Sequence, residues 1–174
     1  MKKIRHLLWL ALALALPITS QAEESVEAQF KALCTKVIQS EQVNSEVKHF
    51  TLPEVMQVLK EEGYQVSDLK EDSFTIKING RNIKMFYFKD GDLQLYYGIS
   101  GVKVGYKELN DWNRTKRLSR AYLDKENDPV LESDLDGAKG LTHNQIAYFT
   151  KVFVDTSVPA YRNFLLLKGD VVDE

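Results

Sequence analysis

The sequence predicts an α+β domain, with helices packed on an antiparallel sheet of about five strands. Three observations predict it. Short alternating runs follow one another as neighbours, Phe74–Ile78, Ile83–Phe88 and Leu93–Ile99, instead of alternating with helices. Asn79-Gly80 and Asp90-Gly91 sit between those runs as tight-turn signals. Two capping boxes, Thr51-x-x-Glu54 and Thr142-x-x-Gln145, open apolar-periodic segments on either side of the strands.

The elements follow in the order α-α-β-β-β-α-β-β-α. The first helix covers roughly Ser25 to Gln39, where Val26, Phe30, Leu33, Cys34, Val37 and Ile38 recur at helical spacing. A polar link, Ser40 to Lys48, leads to the second helix. Pro53 lies in its tolerant first turn, Leu52, Val55, Met56 and Leu59 form its apolar stripe, and Gly63 closes it. After the three strands, glycines at 98, 101 and 105 loosen the chain before a helix from Tyr106 to Lys116. Two further strands read from Leu118 to Asp124 and from Pro129 to Asp134, joined by the turn-like Lys125–Asp128. In the last helical region Pro159 cannot sit deep inside a helix. One helix is therefore predicted to end near Asp155 and another to begin near Thr156.

The N-terminus reads as an export signal. Lys2, Lys3 and Arg5 precede an apolar run, Leu7–Leu16, of about ten residues against the roughly twenty a membrane span needs. Pro17 breaks the run, and Ser20-Gln21-Ala22 predicts cleavage after Ala22. The division is then a signal peptide over 1–22, an N-terminal helix and link over 23–48, and one α+β domain over 49–174. The mature protein is expected in the periplasm or secreted, with no membrane insertion after cleavage. The signal segment holds three of the 23 basic residues and none of the 25 acidic ones, leaving 20 basic to 25 acidic. That balance does not suit nucleic acid, whose phosphates require a basic patch.

The chain holds one cysteine, so no intrachain disulfide or paired-cysteine zinc site can form. Cys34 lies on an apolar helix face, where a buried thiol or an intermolecular bond are the two readings. After signal removal His49 and His143 remain, without metal-ligand spacing. No serine sits in a nucleophile elbow, and Gly98–Gly105 contains no phosphate-loop motif. Glu132-x-Asp134-x-Asp136-Gly137 resembles the start of a calcium loop, but position twelve falls on His143 where a bidentate carboxylate is needed. The carboxylates at Asp124, Glu126 and Asp128 fall in a hairpin turn. No catalytic residue, metal site or cofactor is predicted.

The middle strands carry apolar or aromatic groups on both faces. This points either to helices covering both or to a partner or self-association surface. Met85, Tyr87 and Tyr96 are the candidate partner-binding residues, together with Arg120 and Tyr122 on one face of the fourth strand. Trp112 is predicted to dock its helix on the sheet, with Asn113 bonding to nearby backbone. The alternative is a small-ligand or ion-binding protein using the acidic loop 132–137 and the Arg120 region.

Several stretches together, "LKEEGY", "FTIKING", "LQLYYGIS", "LNDWNRTKRLSRAYLDKENDPVLESDL" and the helix after "GLTHNQ", resemble the YbjN family of small bacterial regulatory domains. The resemblance covers about residues 50 to 167. It is strongest over Leu109–Leu135, including Trp112, Asn113, Arg120, Tyr122, Asp124 and Asp128. It implies a curved sheet like that of type III secretion chaperones, a tendency to pair, no enzyme activity and no cofactor. The partner expected at the second sheet face is a protein or a second copy of the chain. The export signal departs from a cytoplasmic regulatory or secretion-chaperone role.

Overall fold

A computed structural model describes residues 19–171. Residues 1–18, most of the expected signal segment, and 172–174 lie outside them. The chain divides into two units, Met1–Glu41 and Gln42–Glu174.

The first helix, α1 (Thr19–Ser45), is longer than predicted. No glycine or proline interrupts Ser40–Ser45, and Ser40 and Ser45 bond back to the carbonyls of Val37 and Gln42. Its apolar stripe is exposed, Phe30 by 66% and Leu33 by 60%. Cys34 is a free thiol, partly exposed rather than buried as the first of its two readings has it.

The second unit holds α2 (Leu52–Glu61), β1 (Gln65–Ser67), β2 (Ser73–Ile78), β3 (Arg81–Tyr87), β4 (Leu93–Gly98) and β5 (Val102–Lys103). It continues with α3 (Tyr106–Thr115), β6 (Arg120–Leu123), β7 (Pro129–Leu135), α4 (His143–Val152), α5 (Val158–Lys168) and β8 (Asp170–Val171). An antiparallel sheet runs in the order β1-β2-β3-β4-β7-β6, and β5 pairs with β8 apart from it. The sheet therefore has one strand more than the five predicted. The Asn79-Gly80 turn joins β2 and β3 with both residues at positive φ, as a two-residue hairpin of this kind requires.

One core fills the space between a single sheet face and the helices. The sheet supplies Phe74, Ile76, Ile83, Met85, Leu95 and Leu131, and the helices supply Val55, Leu59, Trp112, Ile146, Tyr161 and Leu165. The Trp112 ring meets Tyr161 edge-on at 5.0 Å. Both capping boxes form: Glu54 accepts the Thr51 backbone N–H at 2.7 Å, and Gln145 accepts that of Thr142 at 2.8 Å.

The predicted break before Pro159 is absent. A π-helical turn, Phe153–Ser157, joins α4 to α5 without leaving the helix. In that turn the Val158 N–H donates five residues back, to the Phe153 carbonyl. The widened turn accommodates the proline, which has no N–H to donate and would otherwise crowd the preceding α turn.

A backbone crossing ties two turns together. The Gly137 N–H donates to Asp92 Oδ1 at 2.8 Å, and a β-carbon at Gly137 would stand 2.0 Å from the Gly91 carbonyl oxygen. Only glycine fits there.

Candidate functional site

The five candidate partner-binding residues do not share a face. Met85 pairs in register with Phe74 on one side and Leu95 on the other, and is fully buried. Tyr87 points the same way, and its hydroxyl donates to the Phe50 carbonyl at 2.9 Å. Strand alternation puts Tyr96 on the opposite face, beside Lys84. Grouping Met85 and Tyr87 with Tyr96 is thereby corrected: the first two belong to the core. Tyr96, Arg120 and Tyr122 come together on the open face, where the register runs Lys84, Tyr96, Glu132, Arg120 across four strands.

Glu132 is the centre of this face. Only 6% of it is exposed, although its sequence context reads as a solvated acidic run. Arg120 covers it, with Nε at 3.0 Å and Nη2 at 2.9 Å from Glu132 Oε2. The Tyr122 hydroxyl donates to Glu132 Oε1. Arg120 also reaches Asp134 at 3.3 Å, and the Gln94 amide donates to Asp134 at 2.8 Å. The network is thus satisfied within itself, as a buried carboxylate requires.

The titrations follow from this geometry. Burial, then the bond to Glu132, raises the Tyr122 phenol above its ordinary value. Burial, then the nearby Asp124 and Glu132 carboxylates, raises Tyr96. The Glu132 bond raises Arg120. Both phenols stay protonated and the guanidinium stays charged at neutral pH, so these groups offer hydrogen bonds and ring faces rather than a proton to exchange. Phe86 meets Tyr96 edge-on at 6.2 Å, and the Tyr96 hydroxyl stands 3.0 Å from where a Gly98 β-carbon would lie. The Tyr96 side chain therefore reaches along its own strand to Gly98.

Trp112, Asn113 and Asp128 are structural. Asn113 bonds both backbone groups of Ala121. The Asp128 N–H donates to Asp124 Oδ1 at 2.8 Å, closing the β6–β7 turn, whose Asn127 takes φ of 63°. Asp124 also accepts the Glu126 N–H, so its carboxylate is committed to the turn. In the acidic loop Asp136 accepts the Ala138 N–H. Among the described residues no group of three or more His, Cys, Asp or Glu side chains is placed to hold a metal ion.

The sequence did not reveal a groove of about 430 Å3 beside this face. Leu118, Leu135, Tyr148, Phe149, Val152 and Phe153 supply its apolar lining, with Arg120 and Asp134 on its polar side. It exists because β6 is shorter than β7. Their pairing stops at Arg120–Glu132. Leu118 takes φ of 63°, turns the chain off the strand path, and gives its carbonyl to the Ser133 hydroxyl at 2.8 Å. Leu118 and Tyr148 stand on the rim, 67% and 69% exposed. The lining comes from three separated segments, so no linear motif marks it. The one visible signal was the apolar face carrying Phe149, Val152 and Phe153.

No curated protein sequence matches the chain. Among solved structures, the crystal structure of YbjN from E. coli is similar with a TM-score of 0.53 and 16% identity, over 70% of this chain and 93% of that one. The Yersinia pestis type III secretion chaperone SycH, solved with a stable fragment of YscM2, gives a TM-score of 0.46 and 20% identity. That match covers 60% of this chain and 94% of the chaperone. The family model YbjN, described as "Putative bacterial sensory transduction regulator", matches residues 51–166, from the Thr51 cap through the whole sheet into α5. The chain belongs to the YbjN family.

Proposed function

We propose that the protein is an exported, non-catalytic interaction module. It binds a protein partner through the open face at Tyr96, Arg120 and Tyr122 and through the groove beside it. The observation that carries this reading is the groove: an apolar concavity with Leu118 and Tyr148 exposed on its rim, adjoining a polar network that is already satisfied. Exposed apolar surface framed by polar groups suits a binding surface. The network supplies no nucleophile or proton-transfer pair, which favours binding over chemistry. Export rests on the basic, apolar and small-residue pattern of residues 1–22.

The test compares the mature chain with a Tyr148→Asp variant, both immobilised and exposed to an envelope extract. Tyr148 is exposed, so the substitution spares the core. Proteins retained by the first and lost from the second are expected. Identical retention by both would overturn the groove as the binding surface. Measuring size in solution in parallel tells whether the partner is a second copy.

A second reading rests on the same cavity: its volume also suits a small, largely apolar ligand. A thermal-shift screen separates the two, because a small molecule that binds the folded state raises its melting temperature.

A further inference from the structure

The way β6 stops leaves Ser133–Leu135 paired with β4 on one side and, among the described residues, with no strand on the other. The Asn113 side chain occupies the outward-facing backbone groups of Ala121, so Arg120 and Tyr122 direct theirs inward, to β7. By the antiparallel alternation, Glu132 faces β6, Ser133 faces β4, and Asp134 again faces the β6 side. Among the described residues no strand lies opposite Asp134, since Leu118 has turned away. The Asp134 N–H and C=O therefore open onto the groove, a strand edge beside an apolar cavity.

We propose that this edge takes an extended segment of a partner protein by strand addition, with the pattern apolar–basic–apolar. The inference rests on the protein-binding reading above and specifies its chemistry. Main-chain pairing favours an extended occupant, which offers its own N–H and C=O to Asp134 while its neighbouring side chains reach the groove wall. Side chains on a strand alternate. The residue opposite Asp134 shares the open face with its carboxylate, which is half-exposed and contacted by Arg120 at 3.3 Å and Gln94 at 2.8 Å. The two flanking residues point the other way, toward Leu135, Phe149 and Val152. Glu132 and Asp134 together carry two negative charges against the single positive charge of Arg120, and that excess selects a basic residue at the centre, while the apolar wall selects apolar residues on both sides. Charge also argues against a second copy pairing here. Antiparallel self-pairing of this edge would bring Asp134 against its own counterpart, and like charges directly opposite are destabilising.

The test uses the full mature chain and a synthetic peptide, acetyl-Thr-Val-Lys-Val-Thr-amide, followed by amide NMR shifts. Shifts are expected at Ser133–Leu135 and along α4. Methylating the lysine nitrogen removes the donor to Asp134 and is expected to weaken binding roughly tenfold. Replacing that lysine by glutamate is expected to do the same. An Asp134→Lys protein is expected to reverse the preference between the lysine and glutamate peptides. Binding indifferent to N-methylation, shifts confined to Tyr96 and Tyr122, or no shifts at millimolar peptide would overturn strand addition. The immobilised-protein comparison with Tyr148→Asp reports separately on protein binding, so the two failures are distinguishable.

Discussion

Asn113 behaves toward Ala121 as a neighbouring strand would. Its amide oxygen accepts the Ala121 N–H at 2.7 Å and its amide nitrogen donates to the Ala121 carbonyl at 2.9 Å. A side chain on α3 thereby finishes the pairing of an edge strand and hides the backbone groups that would attract another chain. Asn113→Ala removes both bonds and is expected to cost roughly 2 kcal/mol, at about 1 for each. Urea unfolding measures the loss, and light scattering of the variant reports whether the bared edge aggregates.

The Arg120–Glu132 pair is asymmetric: the arginine side chain is 57% exposed, the glutamate 7%. Arg120→Ala leaves a buried carboxylate with only Tyr122 as a partner. Removing one partner of a fully buried pair costs 3–5 kcal/mol, and the exposure of Arg120 lowers the expectation to roughly 2–3 kcal/mol. Adding Glu132→Gln removes the stranded charge while keeping an acceptor for Tyr122. The double variant is expected to be more stable than Arg120→Ala alone.

At the Gly91–Gly137 crossing the added atom would meet backbone, which cannot rotate away. Gly137→Ala is expected to cost about 3 kcal/mol, the upper end of overpacking. Gly101 offers a control, with φ of 74° and nothing within 4 Å of an added β-carbon. There Gly101→Ala is expected to cost about 1 kcal/mol, from the left-handed conformation alone. Thermal melts of the two variants separate steric conflict from conformational preference.

The α2 cap titrates. The Thr51 backbone N–H, then the Thr51 hydroxyl and Lys48, hold the Glu54 carboxyl down at about 2, from the usual 4.5. A lowered folded-state value means the ionised form is favoured by folding. Its contribution is fully present above pH 4.5 and is lost as pH falls through about 2. Glu54→Gln keeps an acceptor but no charge, so its stability is expected to fall less between those limits. Unfolding curves across that range measure the difference. Because Glu54 and Lys48 are both about half exposed, salt is expected to shrink the Lys48 part.

Local patterns were legible where the cause is local. Both capping boxes, the Asn79-Gly80 turn and the docking of α3 by Trp112 and Asn113 follow from residue type and spacing. The β1 strand was missed because Gln65–Ser67 is too short for alternation to show, and β5 and β8 are shorter still. Glu132 read as solvated because its cover arrives from another strand, in Arg120 and Tyr122. The grouping of Met85 with Tyr96 required the register between β3 and β4, which alternation within each strand does not supply. The groove was invisible for a related reason: it records the absence of a strand, caused by one backbone angle at Leu118.

The π-helical turn at Phe153–Ser157 makes chain length a coded quantity. Each residue advances a helix by about 100°, so the inserted one sets the rotational phase of everything after it. With it, Tyr161 reaches the Val130 carbonyl at 3.2 Å and stacks with Phe164 around Trp112. Deleting one residue from the turn would restore a regular helix and turn Tyr161 off its mark, like a gear slipped by one tooth. This segment tolerates altered spelling better than an altered count.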